Sequence, residues 1–110
     1  MKKQIISLLI IIFSLISFHT HASEQNWKPA QDGDKIILIR HAKAPGGGDP
    51  KGFKIDDCKT QRNLDMMGIN QAKKIGKLFT EKKVKIDKVL SSQWCRCKDT
   101  AKYAFGNFKE

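Results

Sequence analysis

A histidine and two arginines occur at points in the sequence where two apolar segments end. Arg40 and His41 directly follow an apolar run at residues 36–39, and Arg96 comes shortly after a second apolar segment that ends at Ser91. A neutral imidazole can attack phosphorus and carry the phosphoryl group as a covalent intermediate. The oxygens of that group need cationic donors, and the planar guanidinium of arginine can donate two parallel hydrogen bonds to a phosphate. These residue types therefore indicate phosphoryl-transfer chemistry.

The elements predicted around these residues alternate between strands and helices. Residues 36–39 form a short apolar run with the pattern of a strand that is covered on both faces, and residues 86–91 are predicted to form the second strand. A helix is predicted behind Asp65, whose side chain can cap its first turn, and a shorter helix is predicted over residues 99–105. This alternation predicts an α/β fold, a parallel sheet with flanking helices, in which ligands bind beyond the carboxyl ends of the strands.

Glycine residues predict two further features of the chain. Gly68 and Gly76 interrupt the first predicted helix at a cost of about 1 kcal/mol each relative to alanine, so each indicates close packing against a neighbour. Residues 44–53 are rich in glycine and proline and are predicted to be a loop. This loop lacks the Gly-Lys-Ser/Thr sequence that opens the helix of a nucleotide-binding phosphate loop, which excludes that motif.

The beginning of the sequence has the pattern of an export signal. Two lysines precede an apolar stretch over residues 5–18, and small residues just before Ser23 predict cleavage there. The apolar stretch is shorter than the roughly 20 residues that a membrane-spanning helix needs, which disfavours the alternative, a retained anchor. We therefore expect residues 1–22 to be a signal peptide, residues 23–110 to be the mature domain, and the protein to be periplasmic or secreted.

Three cysteines follow the predicted cleavage point. In an oxidising compartment, two of Cys58, Cys95 and Cys97 are expected to pair. A bond between Cys95 and Cys97 would be strained because a single residue separates them, so Cys58 is expected to pair with one or the other. A zinc site is the rival interpretation, and it is weak because the chain has no second cysteine pair and because His19 and His21 leave with the signal. No metal or organic cofactor is expected.

The chain is strongly basic, with a formal net charge of +10. Removal of Lys2 and Lys3 with the signal leaves +8 (10 − 2). A basic surface attracts anions of every kind, so we considered a cationic protein that binds nucleic acid or envelope polymers. Aromatic residues are not interleaved with the basic ones, as a stacking platform for single strands requires. We therefore favour a solvated lysine-rich surface, with no nucleic-acid partner and no membrane association after signal cleavage.

Three short motifs cover residues 35–105 in a fixed order. They read Leu38-Ile39-Arg40-His41-Ala42, Arg62-x-Leu64-x-x-x-Gly68-x-x-Gln71-Ala72 and Ser91-Ser92-x-x-x-Arg96-x-x-x-Thr100-Ala101. Together these motifs resemble the histidine phosphatase superfamily, the phosphoglycerate-mutase-like proteins. The resemblance implies a phosphoglycerate-mutase-like three-layer fold. It also implies a chemistry of phosphomonoester hydrolysis through a phosphohistidine.

The resemblance assigns roles to individual residues. His41 would be the phosphorylated nucleophile, and Arg40 and Arg96 would hold the phosphate. Arg62 would be a further phosphate or substrate contact, with a surface charge in a loop as the equal alternative. Trp94 would line the mouth of the pocket or pack against a disulfide.

The sequence also departs from the family pattern. The later half of family members supplies a carboxylate proton donor and a second histidine, and no histidine follows His41 here. We therefore expect a truncated fold that corresponds to the N-terminal half of the family domain. The alternative to an active enzyme is a catalytically inactive remnant that still binds phosphate.

Further expectations concern an acidic pair and the partners of the chain. Asp56 and Asp57 are interpreted as a solvated turn in preference to a catalytic acid. The expected partner is a phosphorylated small molecule or the phosphate anion. An open sheet edge would in addition allow self-association.

Overall fold

The computed structural model describes residues 26–110, which fall into two compact units. The first unit extends to Lys35, and its described part contains helix α1 (Lys28–Gln31), where Lys28 pairs with Asp32. The predicted signal peptide lies outside the described residues. In the part of the chain that the structure describes, no helix is both long enough and apolar enough to cross a membrane.

The second unit, Ile36–Glu110, contains every residue to which the sequence assigns chemistry. Its main elements are helix α2 (Met66–Glu81) and helix α3 (Cys95–Phe105). The predicted cap of α2 is confirmed, since the Asp65 carboxylate accepts a 2.7 Å hydrogen bond from the Gly68 amide. Helix α3 begins four residues earlier than predicted, so that Arg96 lies in its first turn.

The two helices pack directly on each other, and the packing explains Gly76. A Cβ at this position would approach the Ala104 carbonyl group of α3 more closely than 3.0 Å, which real Cβ atoms do not do. Phe79 and Phe105 meet edge to face, with ring centroids 5.2 Å apart. The predicted close approach at Gly76 is therefore confirmed, with α3 as the neighbour.

The beginning of α2 packs against the segment that follows His41. A Cβ at Gly68 would approach the Lys43 carbonyl group more closely than 3.0 Å, so the prediction of close packing at Gly68 is also confirmed. One turn later, the Gln71 side-chain oxygen accepts a 2.8 Å hydrogen bond from the Lys43 amide. Helix α2 thereby holds the backbone of this segment at two points.

The prediction of an α/β fold with a parallel sheet is wrong for the described residues. Residues 26–110 contain no strand, and their β pairing is limited to two isolated bridges, Lys54 with Asp57 and Leu90 with Lys109. The second bridge is parallel and shows that the predicted second strand pairs at a single residue.

The physical reason is that, within residues 26–110, no strand lies beside the first apolar run. A strand is stabilised by ladder hydrogen bonds to an adjacent strand. Leu90, in the predicted second strand, bridges to Lys109 and not to a residue of the first apolar run. Ile36 and Leu38 are each 90% exposed, although their pattern predicted burial on both faces. Self-association through a sheet edge stays a prediction, because no sheet forms among the described residues.

A disulfide joins the loop before α2 to the first residue of α3. Cys58, in a 3-10 helix (Cys58–Thr60), is bonded to Cys95 across a sequence separation of 37 residues. In the chain-entropy model a loop of this size contributes about 3–4 kcal/mol. This is one of the two pairings that the sequence left open, and Cys97 is the free thiol.

A buried glutamine reinforces the same junction. Gln61 is 6% exposed, and its side-chain amide donates 2.8 Å hydrogen bonds to the carbonyl groups of Lys54 and Ile55. Its side-chain oxygen accepts from the Cys95 amide at 3.0 Å. The disulfide and Gln61 together attach the loop that carries Arg62 to the start of the helix that carries Arg96.

Candidate functional site

The orientation of His41 fixes its tautomer. The imidazole is half-buried, and its Nδ1 atom lies 2.7 Å from the carbonyl oxygen of Ala42. A carbonyl oxygen can only accept, so Nδ1 must carry the proton and donate it. In the neutral ring the Nε2 atom then keeps its lone pair. The nitrogen that can act as a nucleophile is therefore Nε2.

A threonine hydroxyl links the backbone next to His41 to the first turn of α3. The Ala42 amide donates a 2.9 Å hydrogen bond to Thr100 Oγ1, which in turn donates to the Arg96 carbonyl oxygen at 2.7 Å. Ala42, Thr100 and Arg96 are all buried. The sequence motif contains Thr100, but the reasoning from sequence gave it no role. The structure shows that Thr100 holds the histidine segment and the arginine in one region.

Arg96 is held on two sides. Its Nη1 atom lies 3.0 Å from Asp49 Oδ1 and 3.2 Å from Oδ2, and its guanidinium carbon lies 4.3 Å from the Trp94 ring centre. Phe53 packs against Trp94 in turn, with centroids 4.9 Å apart. The Trp94 ring therefore contacts the arginine, a contact that the sequence did not suggest. Arg96 as a whole residue is 9% exposed.

Asp49 lies between Arg96 and the second arginine of the site. Its Oδ1 atom accepts a 2.9 Å hydrogen bond from the Arg62 backbone amide. This bond, together with the charge and hydrogen bond of Arg96, lowers the pKa of Asp49 below its ordinary value, against the opposing effect of burial. Asp49 was not predicted from the sequence, where it is one polar residue in a glycine-rich loop and has no motif around it.

The Arg62 side chain folds onto the loop that follows His41. Its Nη1 atom donates to the carbonyl oxygens of Ala44, at 2.5 Å, and Gly46, at 3.3 Å. A half-buried guanidinium with two backbone acceptors differs from a free surface charge, which was the alternative interpretation. Asp49 thus contacts both arginines, Arg62 through its backbone amide and Arg96 through its guanidinium.

The two arginines and Asp49 form a cluster with unused donors. The Nε atoms of Arg62 and Arg96 are buried and have no hydrogen-bond partner. The Nη2 atoms of both residues also have no partner among residues 26–110, but they are not fully buried. Two guanidinium groups and one carboxylate leave a net charge of +1. A cluster with surplus positive charge and free N–H groups is suited to bind an anion.

Two other groups named from the sequence lie outside this cluster. Arg40 is exposed, and its side chain has no hydrogen-bond or ion-pair partner in the described range. Asp57 caps the 3-10 helix by accepting a 3.1 Å bond from the Lys59 amide, and Asp56 is exposed. The acidic pair therefore has a turn-forming role, and the structure does not bring Arg40 onto Asp49.

One comparison with known proteins identified a family for this chain. Residues 36–109 match the family model described as the histidine phosphatase superfamily (branch 1). No match was found among curated proteins or among solved structures. Because the matched range covers more than half of the chain, the chain belongs to the histidine phosphatase superfamily. This membership confirms the resemblance and supports, in general terms, a phosphatase-type function with phosphorylated small molecules as substrates.

Proposed function

We propose that this member of the superfamily is an exported protein that hydrolyses a phosphomonoester through a phosphohistidine at His41. The observation that carries the proposal is the positively charged cluster of Arg62, Asp49 and Arg96. Thr100 connects this cluster to the residue after His41 through two hydrogen bonds. The family match and the tautomer of His41 support the same chemistry.

The first step of the proposed reaction is attack by His41 Nε2 on phosphorus. The N–P bond forms while the P–O bond to the alcohol breaks, and the leaving oxygen takes a proton from water or from an acid. The Nη2 groups of Arg62 and Arg96 would bind the non-bridging oxygens, where the transition state concentrates negative charge. Arg40, next to the nucleophile in sequence, would add a further donor.

The second step is hydrolysis of the phosphohistidine. Water attacks phosphorus, the P–N bond breaks, Nε2 recovers its lone pair, and inorganic phosphate leaves. Asp49 is a poor proton donor for either step, because its hydrogen bonds keep its pKa low and the carboxylate ionised. Aryl phosphates should therefore be the best test substrates, since a phenolate needs little protonation to leave.

A second function, phosphate binding without turnover, is favoured by one observation. His41 is the single histidine in residues 26–110, so no second imidazole among the described residues can assist the transfer. The arginine cluster would still bind phosphate in such a protein.

Turnover of p-nitrophenyl phosphate by the full chain, together with calorimetric binding of inorganic phosphate, separates the two functions. An enzyme should lose turnover in His41→Ala, and Arg96→Ala should lower kcat by about 10²–10³. Lys102→Ala, an exposed cation on the same helix, serves as the matched control and should behave as wild type. Equal turnover in wild type and His41→Ala would refute the phosphohistidine, and binding that needs Arg96 without any turnover would establish the binding protein.

Export is tested separately, at the N-terminus. The proposal rests on the basic start, apolar stretch and small residues of positions 1–22. A mature chain recovered from an osmotic-shock fraction should begin at Ser23. An intact N-terminus on a protein that stays in the cell would contradict export and would leave the site chemistry untouched.

A further inference from the structure

We propose that Asp49 is a positioning residue for phosphate binding, which holds Arg96 and the Arg62 backbone so that the free ends of both guanidinium groups face the anion. This inference rests on the proposed function, because it assigns the geometry of the same phosphate site. It adds a residue that no sequence motif indicated.

The contacts of the carboxylate show how it acts. Asp49 Oδ1 receives two hydrogen bonds, from the Arg62 amide at 2.9 Å and from Arg96 Nη1 at 3.0 Å. The side chains of Asp49 and Arg96 are 12% and 11% exposed. A charged pair so far removed from water is screened little by salt, and each partner restricts the other strongly.

The remaining surfaces of Arg96 leave one direction open. Trp94 covers the guanidinium, Asp49 occupies Nη1, and Nε is buried. The Nη2 group is the part of the guanidinium that is neither bonded nor fully buried within residues 26–110. Arg62 is arranged similarly, since its Nη1 atom donates to loop carbonyl groups and its Nη2 atom has no partner in the described part of the chain. An anion that binds both Nη2 groups would depend on Asp49, because this carboxylate bonds the Arg96 guanidinium directly and holds Arg62 through its backbone amide.

A rival role for Asp49 makes the opposite prediction. If the carboxylate were an internal anion that competes with phosphate for Arg96, its removal would strengthen phosphate binding. If it positions the arginines, its removal releases Arg96 into many rotamers and weakens binding, while an isosteric amide retains the acceptor oxygen and rescues binding.

The experiment measures binding of inorganic phosphate to the full chain by titration calorimetry. We expect the Kd to rise about tenfold in Asp49→Ala, equivalent to about 1.4 kcal/mol, and to stay within about threefold of wild type in Asp49→Asn. Asp56→Ala removes an exposed carboxylate with the same formal charge and should leave the Kd unchanged. Unchanged or tighter binding in Asp49→Ala overturns the positioning role.

A spectroscopic measurement follows the arginine itself. Trp94 lies against Arg96, and in a Trp27→Phe background it is the remaining tryptophan, so its emission reports the position of the guanidinium. The emission should change in Asp49→Ala and match the background in Asp49→Asn. Identical emission in all three proteins would contradict the proposal.

Two further variants keep the test decisive. If Asp49→Ala fails to fold, Asp49→Glu replaces it, because glutamate retains the charge and lengthens the side chain. A positioning role predicts weaker phosphate binding in Asp49→Glu than in wild type. A role of the charge alone predicts equal binding. Arg96→Ala separates this inference from the proposed function. Phosphate binding that survives Arg96→Ala refutes the proposed site, whereas binding that needs Arg96 and ignores Asp49 refutes the positioning role alone.

Discussion

Thr100→Val removes a single hydroxyl from the connection between the histidine segment and helix α3. The Ala42 amide would lose its acceptor at 2.9 Å, while valine keeps nearly the same shape and a similar helix propensity. Ala42 is 2% exposed and Thr100 is 4% exposed, so water cannot replace the lost oxygen. The substitution therefore isolates the effect of one unsatisfied buried donor.

The expected cost follows from that donor. A buried N–H left without a partner costs about 1–3 kcal/mol, whereas the Arg96 carbonyl group loses only a supplementary bond from the hydroxyl. A central value of about 2 kcal/mol corresponds to a fall in Tm of about 8–16 °C for a unit of this size. Phosphate binding should weaken as well, since the segment that holds His41 is no longer tied to the helix that holds Arg96.

Urea unfolding and amide hydrogen exchange provide the assay, with Thr100→Ser as the matched control. Serine keeps the hydroxyl and loses one methyl group, at a cost of about 0.8 kcal/mol. The Ala42 amide should exchange slowly in wild type and in Thr100→Ser, and rapidly in Thr100→Val. A valine variant within about 0.5 kcal/mol of wild type, or with a protected Ala42 amide, would show that the hydroxyl does not make the connection.

Two more perturbations test the helix packing and the charge cluster. Gly76→Ala would force a Cβ against the Ala104 carbonyl group and should cost about 1–3 kcal/mol in urea unfolding, whereas Gly47→Ala, where a Cβ meets no atom within 4 Å, should change stability by less than about 0.5 kcal/mol. Because the hydrogen bond from the Arg62 amide lowers the pKa of Asp49, the carboxylate stabilises the fold fully above the unfolded pKa of about 4, and this contribution is lost as pH falls toward the lower folded pKa. The difference in unfolding free energy between wild type and Asp49→Asn should thus be constant from about pH 5 to 7 and shrink below about pH 4; a difference independent of pH down to 3 would contradict this assignment.

Local features of the second unit were predictable because their causes lie within a few residues. Asp65 caps the helix that it precedes, and the spacing of apolar residues behind it set the face of α2 that packs inward. The close approaches at Gly68 and Gly76 were predictable for the same reason, since glycine in a helix interior costs stability that only a tight contact recovers.

The sheet and the carboxylate of the site depend on partners that local sequence does not specify. An apolar run such as residues 36–39 predicts a strand only if a neighbour supplies the ladder, and the described residues supply none. Asp49 reaches Arg96 across 47 positions, from a loop whose glycines and prolines predict a turn and nothing about what the turn contacts.

The family motif around Arg96 has a physical explanation in the connection to Thr100. Residues four apart on a helix lie on the same face, so the Thr100 hydroxyl can reach the Arg96 carbonyl oxygen within α3 and still accept from the Ala42 amide outside it. A threonine at this spacing therefore positions the arginine relative to the segment that contains His41 without contacting the imidazole or the guanidinium. If Asp49 controls which edge of the guanidinium stays free, as proposed, then the proposed anion site depends on two polar side chains that do no chemistry, and its geometry can be altered while His41 is left intact.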